Sequence, residues 1–139
     1  MITVDTNILA YYSLPGPRSE DAAILMEREP AWAAPLLWRS EFRNVLAGYI
    51  RLEGMPVDKA VVAMQLASMA LQAGEHAVDD ESVLDLAARS KCSAYDCEFV
   101  ALAGALGVIL VTEDKALLKA FPKVCRSLRG AIDGNLARG

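Results

Sequence analysis

Met1-Ile2-Thr3-Val4-Asp5-Thr6-Asn7 begins with a short apolar strand, Ile2 to Val4, that runs straight into a carboxylate. A charge placed where a buried strand stops falls at the carboxyl edge of a sheet. Open α/β folds bind ligands in that crevice. The pattern recurs near the end of the chain, where the apolar run Val108-Ile109-Leu110-Val111-Thr112 is followed by Asp114. Two more acids have comparable settings: Glu41 inside a largely apolar helix, and Asp96 in Ser93-Ala94-Tyr95-Asp96. Carboxylates that converge repel one another and need a cation, and a carboxylate-bound divalent metal suits phosphate chemistry.

Between these points the pattern alternates. Pro15-Gly16-Pro17 is a loop, and Ser19 is placed to cap a helix reaching about Arg28, stopped by Pro30. Ala31 to Ala34 reads as a second strand closed by Pro35. Leu36 to Leu52 has a helical period, with Trp38, Phe42, Val45 and Tyr49 on one stripe, and Gly54-Met55-Pro56 breaks it. Val57 to Ala73 is another helix, rich in Ala and Met, and Glu75 to Val78 a third short strand. Asp79 and Asp80 open a helix to about Ser90. Ser93-x-x-Asp96 has the form of a capping box for a helix ending at Gly107. The strand Val108 to Thr112, a helix from Lys115 to Ala120 and a last strand around Val124 to Leu128 complete the order. Short apolar strands separated by helices predict a parallel sheet covered on both faces. Right-handed crossovers put every strand-to-helix loop at one edge, which brings Asp5 and Asp114 together.

At 139 residues the chain is expected to form a single domain, 1–139, and its 54% hydrophobic, 6% aromatic composition predicts an aliphatic core. Charges or Pro/Gly interrupt every apolar run before transmembrane length, and no basic region precedes Met1-Ile2-Thr3-Val4, so a cytoplasmic protein with no membrane association is expected. Cys92, Cys97 and Cys125 are odd in number and form no C-x-x-C, which predicts reduced thiols. A net charge of −4 excludes a general basic coat for nucleic acid but not a metal-assisted RNA enzyme. The basic residues Lys115, Lys119, Lys123, Arg126, Arg129 and Arg138 follow Asp114 against one acid, Asp133. They are equally readable as a solvated face or a phosphate-contact strip. Neither G-x-G-x-x-G nor G-x-x-x-x-G-K-[ST] occurs, so no nucleotide cofactor is expected.

Each acid has a plainer role to be weighed. Asp5 and Asp114 are both placed to cap the helices that follow them, and Asp96 is the third residue after the Ser93 cap. Asp96 nevertheless shares a face with Val100 and Ala103, the inner stripe of its helix, whereas Glu98 points elsewhere and reads as a surface charge. Glu41 falls between Leu37 and Val45 in an apolar arc that also holds Leu52, and Arg43 faces away from it, which favours a functional role. Glu113 is readable either way. Thr112 can donate its hydroxyl to a carboxylate, a water or a phosphate. Asp79, Asp80, Glu81 and Asp85 read as a solvated helix start. His76 has no adjacent nucleophile, which removes a Ser-His-Asp or Cys-His engine.

Taken together, Asp5-Thr6-Asn7-Ile8-Leu9, Ser40-Glu41-Phe42-x-Asn44-Val45-Leu46, Tyr95-Asp96-Cys97-x-Phe99-Val100-Ala101-Leu102-Ala103 and Val111-Thr112-x-Asp114-x-x-Leu117 resemble the PIN domain. Within it the chain is similar to the small VapC-type toxins of type II toxin–antitoxin pairs. The resemblance covers essentially the whole chain, and the order and spacing of the four motifs make it specific. It implies a three-layer α/β/α sandwich around a short parallel sheet and an endoribonuclease dependent on Mg²⁺ or Mn²⁺. It also implies a homodimer and a cognate antitoxin whose tail covers the active site. By position, Asp5, Glu41, Asp96 and Asp114 match the family's catalytic acids. Asp5, Asp96 and Asp114 are the implied metal ligands, Asp5 and Asp96 the most direct. Thr112 matches the supporting hydroxyl and Asn7 the polar residue that pins the first loop. Cys97 departs from the commoner alanine after Asp96 and is small enough to be tolerated.

RNA would be read through unpaired bases, with Trp38 and Tyr95 as candidate stacking groups, though a core or site-wall position suits both better. A signalling receiver domain would need an acidic pair after the first strand, and a D-x-D-x-T phosphatase a second Asp where Asn7 stands. The remaining alternative is a PIN-fold RNA-binding or RNA-processing protein without a toxin role.

Overall fold

In the computed structural model, which describes residues 1–137, five strands form one parallel sheet. They are β1 (Ile2–Val4), β2 (Trp32–Pro35), β3 (Glu75–His76), β4 (Leu110–Val111) and β5 (Cys125–Arg126), in the order β3-β2-β1-β4-β5. The helices are α1 (Thr6–Ser13), α2 (Ser19–Arg28), α3 (Trp38–Glu53), α4 (Val57–Leu71), α5 (Asp80–Ala88), α6 (Ala94–Leu106), α7 (Lys115–Ala120) and α8 (Leu128–Asp133). This is the expected three-layer α/β architecture. The α6 helix lies on β1, β2 and β4 with α5 behind it, while α1, α3 and α4 pack together and α2 joins α1 to α8.

Every residue of β1, β2 and β4 is buried, which is why these strands read as continuous apolar runs rather than alternating ones. In the register, Val4 stands beside Val111, and the Asp5 amide donates to the Val111 carbonyl at 3.0 Å. Strand order reverses direction at β1: the chain builds outward through β2 and β3 on one side and through β4 and β5 on the other. The crevice above β1 and β4 is therefore the topological switch point at which such sheets take ligands.

Several local expectations need correction. Ser19 does not cap α2; Arg18 holds that position without a side-chain bond, and the Ser19 hydroxyl donates back to the Gly16 carbonyl at 2.9 Å. The core stripe of α3 is Trp38, Phe42 and Leu46, whereas Val45 and Tyr49 are 39% and 37% exposed and Leu52 stands in solvent. The last strand is only Cys125–Arg126, because Ser127 caps a further helix, α8, by accepting from the Gly130 amide at 3.0 Å. Of the basic stretch, Arg126 donates to the Pro122 and Cys125 carbonyls and Arg129 pairs with Asp21 and Asp133. Lys115, Lys119 and Lys123 remain exposed, and Arg138 lies outside the described residues. No described helix is long and apolar enough to cross a membrane.

The α4 helix inverts the usual arrangement of large residues inward. Its buried face is Ala60, Ala63, Ala67, Ala70 and Leu71, and Val57, Val61, Val62, Leu66 and Met69 face outward. Alanines at this spacing let α4 approach α1, α3 and β2 closely. The turn after α4 is equally tight. A Cβ on Gly74 would stand 2.1 Å from the Trp32 carbonyl oxygen and 2.8 Å from that of Leu71, both backbone atoms that cannot swing aside. We expect Gly74→Ala to lower stability by about 3 kcal/mol, the upper part of the overpacking range. Gly104→Ala, in α6 with nothing within 4 Å of its added methyl, should instead raise it by ~1 kcal/mol. Urea unfolding of the two variants checks both signs.

Candidate active site

Asp5 ends β1 and caps α1 at once, with only 7% of its surface exposed. Its Oδ1 accepts the Thr6 amide at 2.8 Å, and its Oδ2 accepts the Thr112 hydroxyl at 2.6 Å across the β1–β4 pair. The same Thr112 oxygen accepts the Asp114 amide at 3.0 Å, and Asp114 Oδ1 caps α7 through the Leu117 amide at 3.0 Å. Thr112 is thus fully buried and bridges two of the four acids.

Glu41 lies in the first turn of α3, which begins just after β2 leaves the same edge of the sheet. Its Oε1 accepts the Thr6 hydroxyl at 2.7 Å, so α1 and α3 are tied together at the site. Asp96 lies in the first turn of α6, where Ser93 accepts its backbone amide at 3.1 Å as the capping pattern predicts. Its neighbours one and two turns on, Val100 and Ala103, are buried, and Asp96 itself is half-buried.

Electrostatics show that the four belong to one neighbourhood. Burial pushes the Asp5 carboxyl above its usual range, outweighing its hydrogen bonds from Thr112 and Thr6, and the charges of Asp96 and Asp114 push it further. Glu41 is raised by burial and by the charges of Asp5 and Asp96 against the Thr6 hydrogen bond, and Asp96 by burial and by Asp114. None of the four has an ion-pair partner among the described residues. Their oxygen donors suit a hard divalent cation. Among the described residues, however, no three His, Cys, Asp or Glu side chains form a ready-made cage for one ion.

The remaining candidates are distributed as follows. The Asn7 side-chain oxygen is buried with no hydrogen-bond partner among the described residues. Glu113 accepts the Leu128 amide at 2.9 Å and pairs with Arg18 at 3.0 Å. Trp38 is in the core, its indole donating to Glu75 at 3.1 Å, and Tyr95 is exposed. The cysteines are free, and burial pushes the Cys125 thiol up to about 12. Thr6 escapes sequence reasoning, and Glu98 is more than the surface charge it reads as. Thr6, hidden as an ordinary first helical residue, holds Glu41 in place. Glu98 is two residues round α6 from Asp96, yet its charge reaches Glu41 and helps raise it.

The PIN domain family model matches residues 2–124. The chain belongs to the PIN domain family. PIN-domain proteins are generally nucleases. No curated protein matches the chain. Among solved structures, the fold is similar to that of PAE2754 from Pyrobaculum aerophilum at 22% identity, covering 95% of this chain and 93% of that one with a TM-score of 0.72. It is also similar to FitAB bound to an IR36 DNA fragment, at 16% identity, covering 92% of this chain and 95% of that one with a TM-score of 0.68. At these identities the likeness establishes the PIN fold.

Raised carboxyls have a definite consequence for stability. Asp5, Glu41 and Asp96 bind protons more tightly folded than unfolded, so their contribution is fully present below their unfolded pKa values, about 4, and is lost as pH rises through the elevated ones. Glu41→Gln removes one charge while its amide oxygen can still accept from Thr6. In the presence of a chelator, the variant should melt higher than the parent at pH 7, by a few degrees (roughly 2–4 °C). The two melting curves should converge below about pH 4.

Proposed function

We propose that this PIN-domain chain is an endoribonuclease dependent on Mg²⁺ or Mn²⁺ that hydrolyses RNA phosphodiester bonds. We further propose that it is the toxin of a type II toxin–antitoxin module. The observation that carries the reading is the buried Asp5 carboxylate at the β1 edge, with burial and the charges of Asp96 and Asp114 raising it and no ion-pair partner for it among the described residues. Asp5, Asp96 and Asp114 are the groups that would hold the metal, and a bound divalent ion supplies charge that polarises a phosphate and acidifies a water.

The chain's own residues then have separable tasks. Thr112 and the Thr6 amide fix both oxygens of Asp5, which keeps it aimed while leaving further lone pairs on each oxygen. Glu41, oriented by Thr6 and raised by its neighbours, is suited to take a proton from the attacking water. Thr112 and Asn7 support this arrangement rather than react.

Two partners belong to the same reading. An unneutralised acidic edge attracts an Arg or Lys from a cognate antitoxin, which would occupy the place of the metal or phosphate by charge pairing. The outward aliphatic strip of α4, with Met69 69% exposed and Val57 64% exposed, supports a homodimer. Light scattering should give a dimer at micromolar concentration, and Leu66→Asp with Met69→Asp should give a folded monomer. A monomeric parent chain would remove the dimer.

Activity tests the rest. Asp96→Asn keeps the volume and removes a charge, and Ser93 still caps α6 through the backbone. It should lower metal-dependent RNA cleavage by at least ~100-fold, since even residues behind the metal ligands cost 10–100-fold, while the melting curve keeps its shape. Millimolar Mn²⁺ should raise the melting temperature of the parent more than that of Asp96→Asn or Glu41→Gln. An Asp96→Asn protein that still cleaves RNA, or a parent whose melting ignores Mn²⁺, would overturn the site.

A further inference from the structure

Beside the acids, a groove of about 400 Å³ runs between α1 and α3, within the size range of small-molecule sites. Its walls are continuations of the helix faces that carry the site. On α1 the face of Asn7 continues to Tyr11, and on α3 the face of Glu41 continues to Val45 and Tyr49, each step one helical turn. Next to Asn7 and one turn before Val45, Thr6 and Glu41 are hydrogen-bonded to each other. At the rim, Arg18 lies 5.4 Å above the Tyr11 ring and is held there by Glu113, the residue next to Asp114.

We propose that this groove is a substrate subsite that takes one unpaired RNA base next to the bond being cut, with Arg18 on the adjoining phosphate. The inference rests on the nuclease reading and adds where the strand goes after it leaves the acids. Two features select a base over an apolar peptide. Tyr49 lines the groove and is 37% exposed, whereas Arg18 already covers the Tyr11 ring, and stacking on aromatic side chains is how single strands are held irrespective of sequence. Arg18 lines the groove, pairs with Glu113 beside Asp114, and keeps four further N–H donors for a flanking phosphate.

The test separates binding from cleavage by working first in the Asp96→Asn protein. A short fluorescein-labelled single-stranded RNA is titrated by anisotropy against that protein and against the same protein carrying Tyr49→Leu or Arg18→Ala, with Leu84→Ala on α5 as control. Tyr49→Leu keeps apolar bulk at a partly exposed position, so folding is preserved; it should weaken binding roughly 10-fold, within the range for loss of one stacked base. Arg18→Ala should weaken it similarly and lower the salt dependence by about one counterion. Leu84→Ala should bind as its parent. An RNA with single abasic positions, which needs no second variant, should lose affinity at one position only in the protein that retains Tyr49.

Cleavage by the chain with Asp96 intact reports on the nuclease reading separately. RNA that binds in a Tyr49- and Arg18-dependent way but is never cut removes that reading and keeps the groove. RNA bound and cut equally well by Tyr49→Leu and Arg18→Ala keeps the reading and overturns the groove. Unchanged RNA affinity together with loss of a dimer in light scattering makes the groove a contact between copies and also overturns the proposal.

Discussion

The hydrogen bond from the Thr112 hydroxyl to Asp5 Oδ2, 2.6 Å long and spanning 107 positions of sequence, is the contact on which the site depends. Burying an ionised carboxylate costs several kcal/mol unless it is hydrogen-bonded. Hydrogen bonds to charged groups contribute about 1.5–3 kcal/mol each, so Thr112 and the Thr6 amide offset the penalty without abolishing it. The residual cost is visible as the upward shift of the Asp5 carboxyl. That bond also fixes register. Val4 stands beside Val111 in the parallel ladder, and a slip of one residue would turn Asp5 to the opposite face and strand its charge in the core. Sheet pairing and site geometry are therefore one constraint.

Capping does not use up these acids. Asp5 and Asp114 each use an oxygen to hold the start of a helix, and each carboxylate still has unused lone pairs. The cap is what immobilises the carboxylate, since a side chain tied to a helix amide loses its free rotamers before any ligand arrives. Asp96 is arranged differently. Ser93, not Asp96, caps its helix by accepting the Asp96 amide, and a Ser93 hydrogen bond also lowers the Asp96 carboxyl against burial and the charge of Asp114.

The strands and the carboxylates were legible because their signals are local. Ile2 to Val4 followed by Asp5 needs only burial and a strand end to be read, and Ser93 three residues before Asp96 needs only helix geometry. The same holds for α7, whose observed bounds match the expected Lys115 to Ala120, and for the end of α2 at Arg28. What sequence could not supply was which apolar residues face one another. The α3 helix offers two apolar stripes, and periodicity alone chose Val45 and Tyr49 where the core takes Leu46. Val45 and Tyr49, one and two turns on from Glu41, line a groove instead, and Glu41 is half-buried rather than enclosed in a core. Thr6 goes unread and Glu98 reads as a surface charge for a related reason: what each does depends on Glu41 on α3, a tertiary fact with no local trace.

The alanine face of α4 explains how that tertiary fact arises. Helix axes separate by 8–10 Å according to the side chains between them, and Ala60, Ala63, Ala67 and Ala70 are the smallest spacers that still bury apolar surface. With bulky residues there, α4 would stand off from α1 and α3, which it touches along both. The Thr6–Glu41 hydrogen bond at 2.7 Å tolerates little such movement. The close packing that sets Glu41 against Thr6 also turns Val57, Val61, Val62, Leu66 and Met69 outward. One choice of residue size on a single helix thus tightens the acidic edge and creates the apolar strip on the outside of the molecule.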